Sequence, residues 1–310
     1  MLSILVLGSA AGGGFPQWNC NCENCRRVRA GDPTALARTQ SSVAVSADGE
    51  HWFLLNASPD VRQQIERTPR LHPRGGARHS PIVGVVLTNA DVDHVAGLLT
   101  LREGHALSVY ATGRVHRVLA ANSIFGVLDP ERVARLALPI EQGVELQLPG
   151  GPPAGMSVTA FPVPGKVALW LEDPLAGPGL ATMVEDTIGL KVTDAATGRT
   201  FFYIPGCAAM PAALVQRLTG APLVFFDGTT WTDDELPAAG VGAKTGRRMG
   251  HMSMSEPDGS IAAFADLGVR RRVFVHINNT NPVLLRDSPE RRQAEAAGWE
   301  IAEDGLAIVL

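Results

Sequence analysis

The sequence predicts a layered α/β sandwich, and three observations lead there. Short apolar runs of strand character recur along the chain, some joined by tight polar turns and others by single amphipathic stretches. That mixture of hairpins and crossovers suits packed mixed sheets better than one parallel sheet. The Gly-rich turn after the first run, Gly8 and then Gly12 to Gly14, lacks G-x-G-x-x-G spacing and no helical pattern follows it, which excludes a dinucleotide fold. No linker, repeat or low-complexity tract interrupts the 310 residues, so 1–310 reads as one domain.

The elements follow in order. Residues 3–7 read as a buried opening strand, and 42–46 with 52–55 as a hairpin with a two- to four-residue turn around Asp48-Gly49. Residues 59–67 are expected to form a helix with Ser58 as N-cap and Pro59 at its first position. A buried strand at 82–87 runs through a polar loop into a helix over 95–102. Strands are then expected at 107–111, 157–161, 182–193, 200–204, 223–226 and 273–277, and helices at 211–218, 260–267 and 289–297. The Pro- and Gly-rich stretches 148–155 and 172–180 read as surface loops.

Composition narrows the function. Hydrophobic residues make up 45% and charged residues 19%, an ordinary globular balance. A net charge of −4 argues against a nucleic-acid partner or a polybasic membrane binder. Only three of the 27 basic residues are lysines, Lys166, Lys191 and Lys244. The start carries an apolar run of only 2–7 without a basic leader, and no stretch approaches eighteen unbroken apolar residues. The expected location is therefore the cytoplasm. In a reducing compartment the cluster Cys20, Cys22, Cys25 is better read as a metal site than as a disulfide framework. Three thiolates in C-x-C-x-x-C can hold a structural Zn²⁺ that staples a Cys-rich loop at about 8–40. Cys207, a histidine, a carboxylate or water would complete it.

Chemistry converges at strand ends. Asn89, Asp91, Asp93 and His94 sit in the loop that follows the 82–87 strand, where α/β proteins place ligands. Two carboxylates and an imidazole within four residues can approach one cation, whereas a simple helix cap accounts for only one of the carboxylates. His276 ends another apolar strand ahead of an Asn-rich turn, Asp227 ends a third, and His251 lies in a Gly- and Met-rich loop.

At these residues the chain resembles the metallo-β-lactamase superfamily. Asp93-His94 match the last two positions of its H-x-H-x-D-H loop, and Gly250-His251 and Val275-His276 resemble its later histidine motifs. The resemblance implies an αββα four-layer sandwich with mixed sheets and the metal at one sheet edge. The chain is more closely similar to the coenzyme PQQ synthesis protein B family, over essentially its whole length. The shared runs are GSAAGGGFPQWNCNC at 8–22, ARTQSS at 37–42, LNASPD at 55–60, GLLTLREG at 97–104, KTGRRMGH at 244–251 and HINNTNP at 276–282. It departs from the hydrolase pattern in that Asn89 and Asp91 replace the first two histidines and Cys207 stands at the bridging aspartate.

What remains is Asp93, His94 and His276, with Asp91 as a further oxygen ligand or an orienting group. Two histidines and a carboxylate with open positions suit non-haem Fe(II). The resemblance implies the same: an Fe(II)- and O₂-dependent hydroxylase acting in PQQ biosynthesis on the tyrosine ring of a peptide-derived Glu–Tyr cross-linked intermediate. It also implies His251 and Asp227 as acid/base groups. Lys244, Arg247 and Arg248 could clamp the carboxylates of such a small peptide-derived substrate or PQQ precursor. The competing readings are a PQQ carrier or transport protein with a degenerate metal site, and a zinc-dependent hydrolase. No nucleic acid and no membrane are expected as partners, and a homo-oligomer is left open.

Overall fold

The computed structural model describes residues 1–171 and 183–310. Its strands are β1 (Ser3–Gly8), β2 (Ser42–Ser46), β3 (Trp52–Leu55), β4 (Ile82–Val86), β5 (Leu107–Ala111), β6 (Val133–Ala137) and β7 (Gly143–Gln147). They continue with β8 (Pro153–Pro162), β9 (Ile188–Asp194), β10 (Thr200–Ile204), β11 (Val224–Asp227), β12 (Arg272–Val275), β13 (Trp299–Ile301) and β14 (Ala307–Val309). The helices are α1 (Glu23–Arg29), α2 (Val61–Arg67), α3 (Val92–Val95) and α4 (Gly113–Ala121), then α5 (Ala212–Leu218), α6 (Glu235–Ala238), α7 (Ser260–Ala263) and α8 (Pro289–Ala296).

The strands form two seven-stranded sheets, ordered β14-β1-β2-β3-β4-β5-β6 and β13-β12-β11-β10-β9-β8-β7. Each is antiparallel on one side and parallel on the other, with β3 to β6 parallel in the first and β10 to β13 parallel in the second. The period-2 side-chain alternation of a strand decides the layers. Ile4 and Val6 of β1 and Phe53 and Leu55 of β3 point between the sheets, where they meet Phe201 and Tyr203 of β10 and Val273 and Val275 of β12. The alternate residues Leu5, Leu7, Trp52 and Leu54 face Val61 of α2 and Val115 and Leu119 of α4. On the far side, Phe226 and Phe274 meet Leu214 of α5, Phe264 beyond α7 and Ala294 of α8. Trp299 stacks on Phe274 there with ring centroids 3.7 Å apart. The result is four layers, helix, sheet, sheet, helix, with apolar contact across every boundary.

Several expected boundaries shift for local reasons. The β2–β3 connection spans 47–51, five residues rather than two to four. The second helix starts at Val61 with Asp60 at its N-cap, because the Ser58 hydroxyl accepts from the Asp60 N–H (3.3 Å) and donates to Gln64 Oε1 (3.1 Å) instead of capping. Residues 96–102 are a 3₁₀ segment: Gly97 donates to Ala57 O (2.9 Å), and a Cβ there would lie 2.3 Å from Ser58 O. That backbone contact pulls the segment out of α geometry. After Ala263 the chain continues to Leu267 only as turns, with Leu267 N–H donating to Phe264 O at 3.3 Å. Strand β8 begins at Pro153, inside the stretch expected to be loop, whereas the expected loop 172–180 and Thr182 lie outside the described residues. No helix among the described residues is long and apolar enough to cross a membrane.

Candidate functional site

Parallel strands deliver the polar residues to one place. The chain leaves β4 through Thr88 and Asn89 and enters α3, so Asp93 and His94 stand on a helix that begins at Val92. Asp91 occupies the N-cap position, yet its side chain makes no capping hydrogen bond. Asp227 is the last residue of β11, and His276 follows β12 directly. His276 has φ +57°, a left-handed conformation uncommon for a residue with a Cβ and concentrated at functional sites. β4 and β12 belong to different sheets, so the site lies where both sheets end.

The side chains converge closely. His276 Nε2 is 3.0 Å and His94 Nε2 is 3.8 Å from Asp93 Oδ2. One ligand atom from each of these three residues can be chosen so that all lie within 4.8 Å of one another, a spacing one cation can bridge. His94 Nε2 is buried and, among the described residues, has no hydrogen-bond partner, which is costly for a ring nitrogen unless a bound group meets it. Asn89 Oδ1 lies 2.7 Å from His94 Nδ1, so Nδ1 carries the proton and Nε2 presents its lone pair. The residue at the first lost histidine position thus orients the histidine that remains. Opposite, the Thr229 hydroxyl is 2.9 Å from His276 Nδ1 and donates to Asp227 Oδ1 at 2.6 Å, fixing His276 in the same sense. Burial alone would raise the Asp93 carboxyl, but His94 and the hydrogen-bonded His276 hold it well below the carboxylate range. Burial pushes the His94 imidazole down; burial also acts against His276, but the hydrogen bond to Asp93 and the charges of Asp93, Asp227 and Asp91 together leave it raised. The set is therefore a paired carboxylate and two imidazoles, the donor chemistry that holds a divalent metal.

The other expected residues divide. Asp91 lies outside that set, as its carboxylate takes a hydrogen bond from Asn89 Nδ2 (3.3 Å) and stands 3.7 Å from Lys166 Nζ. His251 Nδ1 is 2.6 Å from Asp227 Oδ2, and the His251 ring stacks on His276 with centroids 5.2 Å apart. A cavity of about 270 Å³ opens over these groups, lined among others by Asp91, Asp93, His94, His251 and His276. Asp227 is fully buried beneath it and bonds to His251 and Thr229, which line it. Lys244 lines the cavity, but Arg247 and Arg248 do not. Arg247 faces outward, with Asp258 and Glu256 taking up its charge. Lys166, counted in the sequence but not placed at the site, also lines the cavity, so two of the chain's three lysines meet there.

The cysteines gather against Asn279 of the 276–282 turn. Cys25 is buried on α1, Cys22 is its N-cap, and Cys22 N–H donates to Cys20 Sγ at 3.4 Å. The three sulfurs lie within 4.8 Å of one another, and among the described residues no histidine, carboxylate or fourth cysteine joins them. Cys207 is fully buried elsewhere with Sγ 3.1 Å from Ala209 O, and burial pushes its thiol up. Burial also pushes Cys22 up to about 12, whereas hydrogen bonds from Cys22, Cys25 and Asn279 outweigh burial at Cys20 and lower it. A lowered thiol in a triad of sulfurs fits a thiolate metal site.

The same turn is held by Glu235, which accepts from Trp231 N–H at 2.6 Å and from the Thr280 hydroxyl. Burial pushes its carboxyl up to about 7. A raised folded-state value means the contribution is present below the ordinary range near 4.5 and is lost as pH rises through about 7. Glu235→Gln is therefore expected to leave stability at pH 5 nearly unchanged and to raise it at pH 8.5 by up to about 3 kcal/mol. Urea midpoints of both proteins at the two pH values check this, and an equal effect at both refutes it.

Comparison with known proteins places this geometry. The Beta-lactamase superfamily domain family matches residues 51–277. Coenzyme PQQ synthesis protein B of Gluconacetobacter diazotrophicus is 57% identical over 310 residues, covering 99% of each chain. The protein of the same name from Bradyrhizobium diazoefficiens is 55% identical over 312 residues and covers both chains fully. The solved structure of Zn²⁺-bound PqqB from Methylobacterium extorquens aligns with TM-score 0.94 and 52% identity, over 99% of this chain and 100% of that one. The fold is that of the metallo-β-lactamases.

Proposed function

Because this chain belongs to the coenzyme PQQ synthesis protein B family, and so to PQQ biosynthesis, we propose that its step there is an Fe(II)- and O₂-dependent hydroxylation of a tyrosine ring. The substrate is a small peptide-derived molecule in which that ring is cross-linked to a glutamate. The observation that carries the reading is the set Asp93, His94 and His276, two imidazoles and one carboxylate, with His94 Nε2 buried and without a hydrogen-bond partner among the described residues. That donor set leaves coordination positions open and suits non-haem iron. Bound there, iron would supply the activation of O₂; a ring C–H of the phenol becomes C–OH, giving a catechol, and the second oxygen atom leaves as water, with two electrons from an external reductant and two protons from solvent.

The protein's own groups do the rest. Asn89 and Thr229 hold the two histidine rings with Nε2 turned toward Asp93. His251, backed by Asp227, presents a proton acceptor or donor at the cavity wall for the phenol oxygen. Lys166 and Lys244 set positive charge on the same wall, suited to the carboxylates of an amino-acid-derived substrate.

The test is direct. Metal-stripped protein is loaded anaerobically with Fe(II), mixed with a Glu–Tyr dipeptide and ascorbate, and exposed to O₂. The product is expected to be heavier by one oxygen atom by mass spectrometry, with no such product from the zinc-loaded form. Stoichiometric iron without added oxygen overturns the reading and directs the next assay to hydrolysis with zinc.

A further inference from the structure

Among the described residues the cysteine triad has no fourth ligand of the usual kinds, yet its fourth corner is filled. Asn279 Nδ2 lies 3.1 Å from Cys20 Sγ, 3.7 Å from Cys22 Sγ and 3.4 Å from Cys25 Sγ. A tetrahedral zinc with Zn–S near 2.3 Å and Zn–O near 2.1 Å separates its vertices by roughly 3.5–3.8 Å. The amide terminus therefore stands about where the fourth vertex of an S₃ site belongs. Those three sulfurs are the terminus's hydrogen-bond partners among the described residues, so a half-turn about Cβ–Cγ, which exchanges Nδ2 for Oδ1, breaks no other bond.

The backbone around it is braced for the position. Asn279 is 4% exposed, and Asn24 Nδ2, from the helix that carries Cys25, donates to both Asn279 O and Asn281 O at 3.1 Å.

We propose that Asn279 Oδ1 is the fourth ligand of the metal held by Cys20, Cys22 and Cys25. The metal then ties the cysteine loop to the turn that begins with His276, three residues before Asn279, and whose Asn278 lines the cavity. Cofactor site and cysteine site share one rigid turn. This inference stands on the cysteine cluster alone and is independent of the reaction proposed above.

Substitution separates an oxygen ligand from a mere N–H donor to sulfur. Aspartate offers only oxygens, so it can coordinate the metal but cannot donate to thiolates. The full-length protein and its Asn279→Ala and Asn279→Asp variants are titrated with Co²⁺, whose sulfur-to-metal charge-transfer band reports the thiolate site separately from the histidine site. Zinc competition against a chromophoric chelator then gives the affinity. Asn279→Ala is expected to weaken zinc by about 10–100-fold, and Asn279→Asp to hold it as tightly as the parent or tighter. Aspartate no better than alanine overturns the proposal, and so does an alanine variant with parental affinity. If the alanine variant does not fold, the aspartate variant decides alone: a parental cobalt band supports the ligand role and its loss refutes it.

Discussion

Replacing His94 with alanine is expected to lower Fe(II) affinity by about 100-fold or more while leaving the fold intact. The ring stands 2% exposed with Nε2 facing Asp93 and His276, and among the described residues no hydrogen-bond partner meets that nitrogen. Its Nδ1 is committed to Asn89, so the side chain has no structural partner that requires Nε2. Removing it leaves Asp93 and His276, a two-point site that cannot hold a borderline divalent ion against water. The cavity left by an imidazole on a short helix costs about 1–2 kcal/mol, well within what a core of this size absorbs. Asn89→Leu should act more weakly, about 10-fold to 100-fold, because it frees the ring to turn without deleting a donor. Anaerobic titration with thermal unfolding as the control distinguishes these outcomes. Parental iron affinity in the His94 variant would remove His94 from the metal site altogether.

The graded pair also shows what the sequence could and could not reveal. Asp93, His94 and His276 were legible because each sits at the polar end of a buried apolar strand, a placement visible in one dimension. Asn89 looked like a loss, since its value lies in the 2.7 Å contact to a ring five residues ahead. Thr229 gave no signal within FFDGTT, because its bond to His276 spans 47 residues and depends on β11 lying beside β12. Lys166 was hidden for the same reason: a loop residue joins a site only through packing. Arg247 is the converse, a charge adjacent in sequence to the site's glycine loop that packing turns outward to Asp258. The layers followed from alternation in β1, β3, β10 and β12, where every second residue is bulky and apolar. Edge strands such as β6 and β7, exposed along much of their length, carry no such alternation and were missed. Helix α4 was missed despite a readable cap, Thr112 accepting from Val115 N–H at 3.2 Å.

Asp227→Asn is the second large effect, about 10²–10⁴-fold in turnover with iron affinity changed by no more than a few-fold. The carboxylate is fully buried and its acceptor capacity is filled. Oδ2 takes His251 Nδ1–H at 2.6 Å and Cys207 N–H at 2.8 Å, and Oδ1 takes the Thr229 hydroxyl at 2.6 Å and Thr229 N–H at 3.0 Å. In that arrangement Nε2 of His251 carries the lone pair. An amide has one oxygen for those donors and an NH₂ that must face the rest. If the NH₂ faces His251, Nδ1 must accept, the proton moves to Nε2, and the base is lost; if it faces Thr229 and the oxygen keeps His251, it sets donor against the Thr229 N–H. The first arrangement removes the base at a group that never touches substrate, whereas the second keeps it but leaves a buried N–H unpaired; the expected loss of turnover is that of the first. A second grouping competes with this account, because Asp227, His251 and His276 also lie within 4.8 Å of one another and could hold a metal. Iron binding in the variant decides between them. Lost turnover with retained iron makes Asp227 a positioning residue for His251, whereas lost iron makes it a ligand. The filled lone pairs favour the first, since a metal at Asp227 would have to displace the Cys207 or Thr229 N–H or the His251 ring from a carboxylate they already occupy.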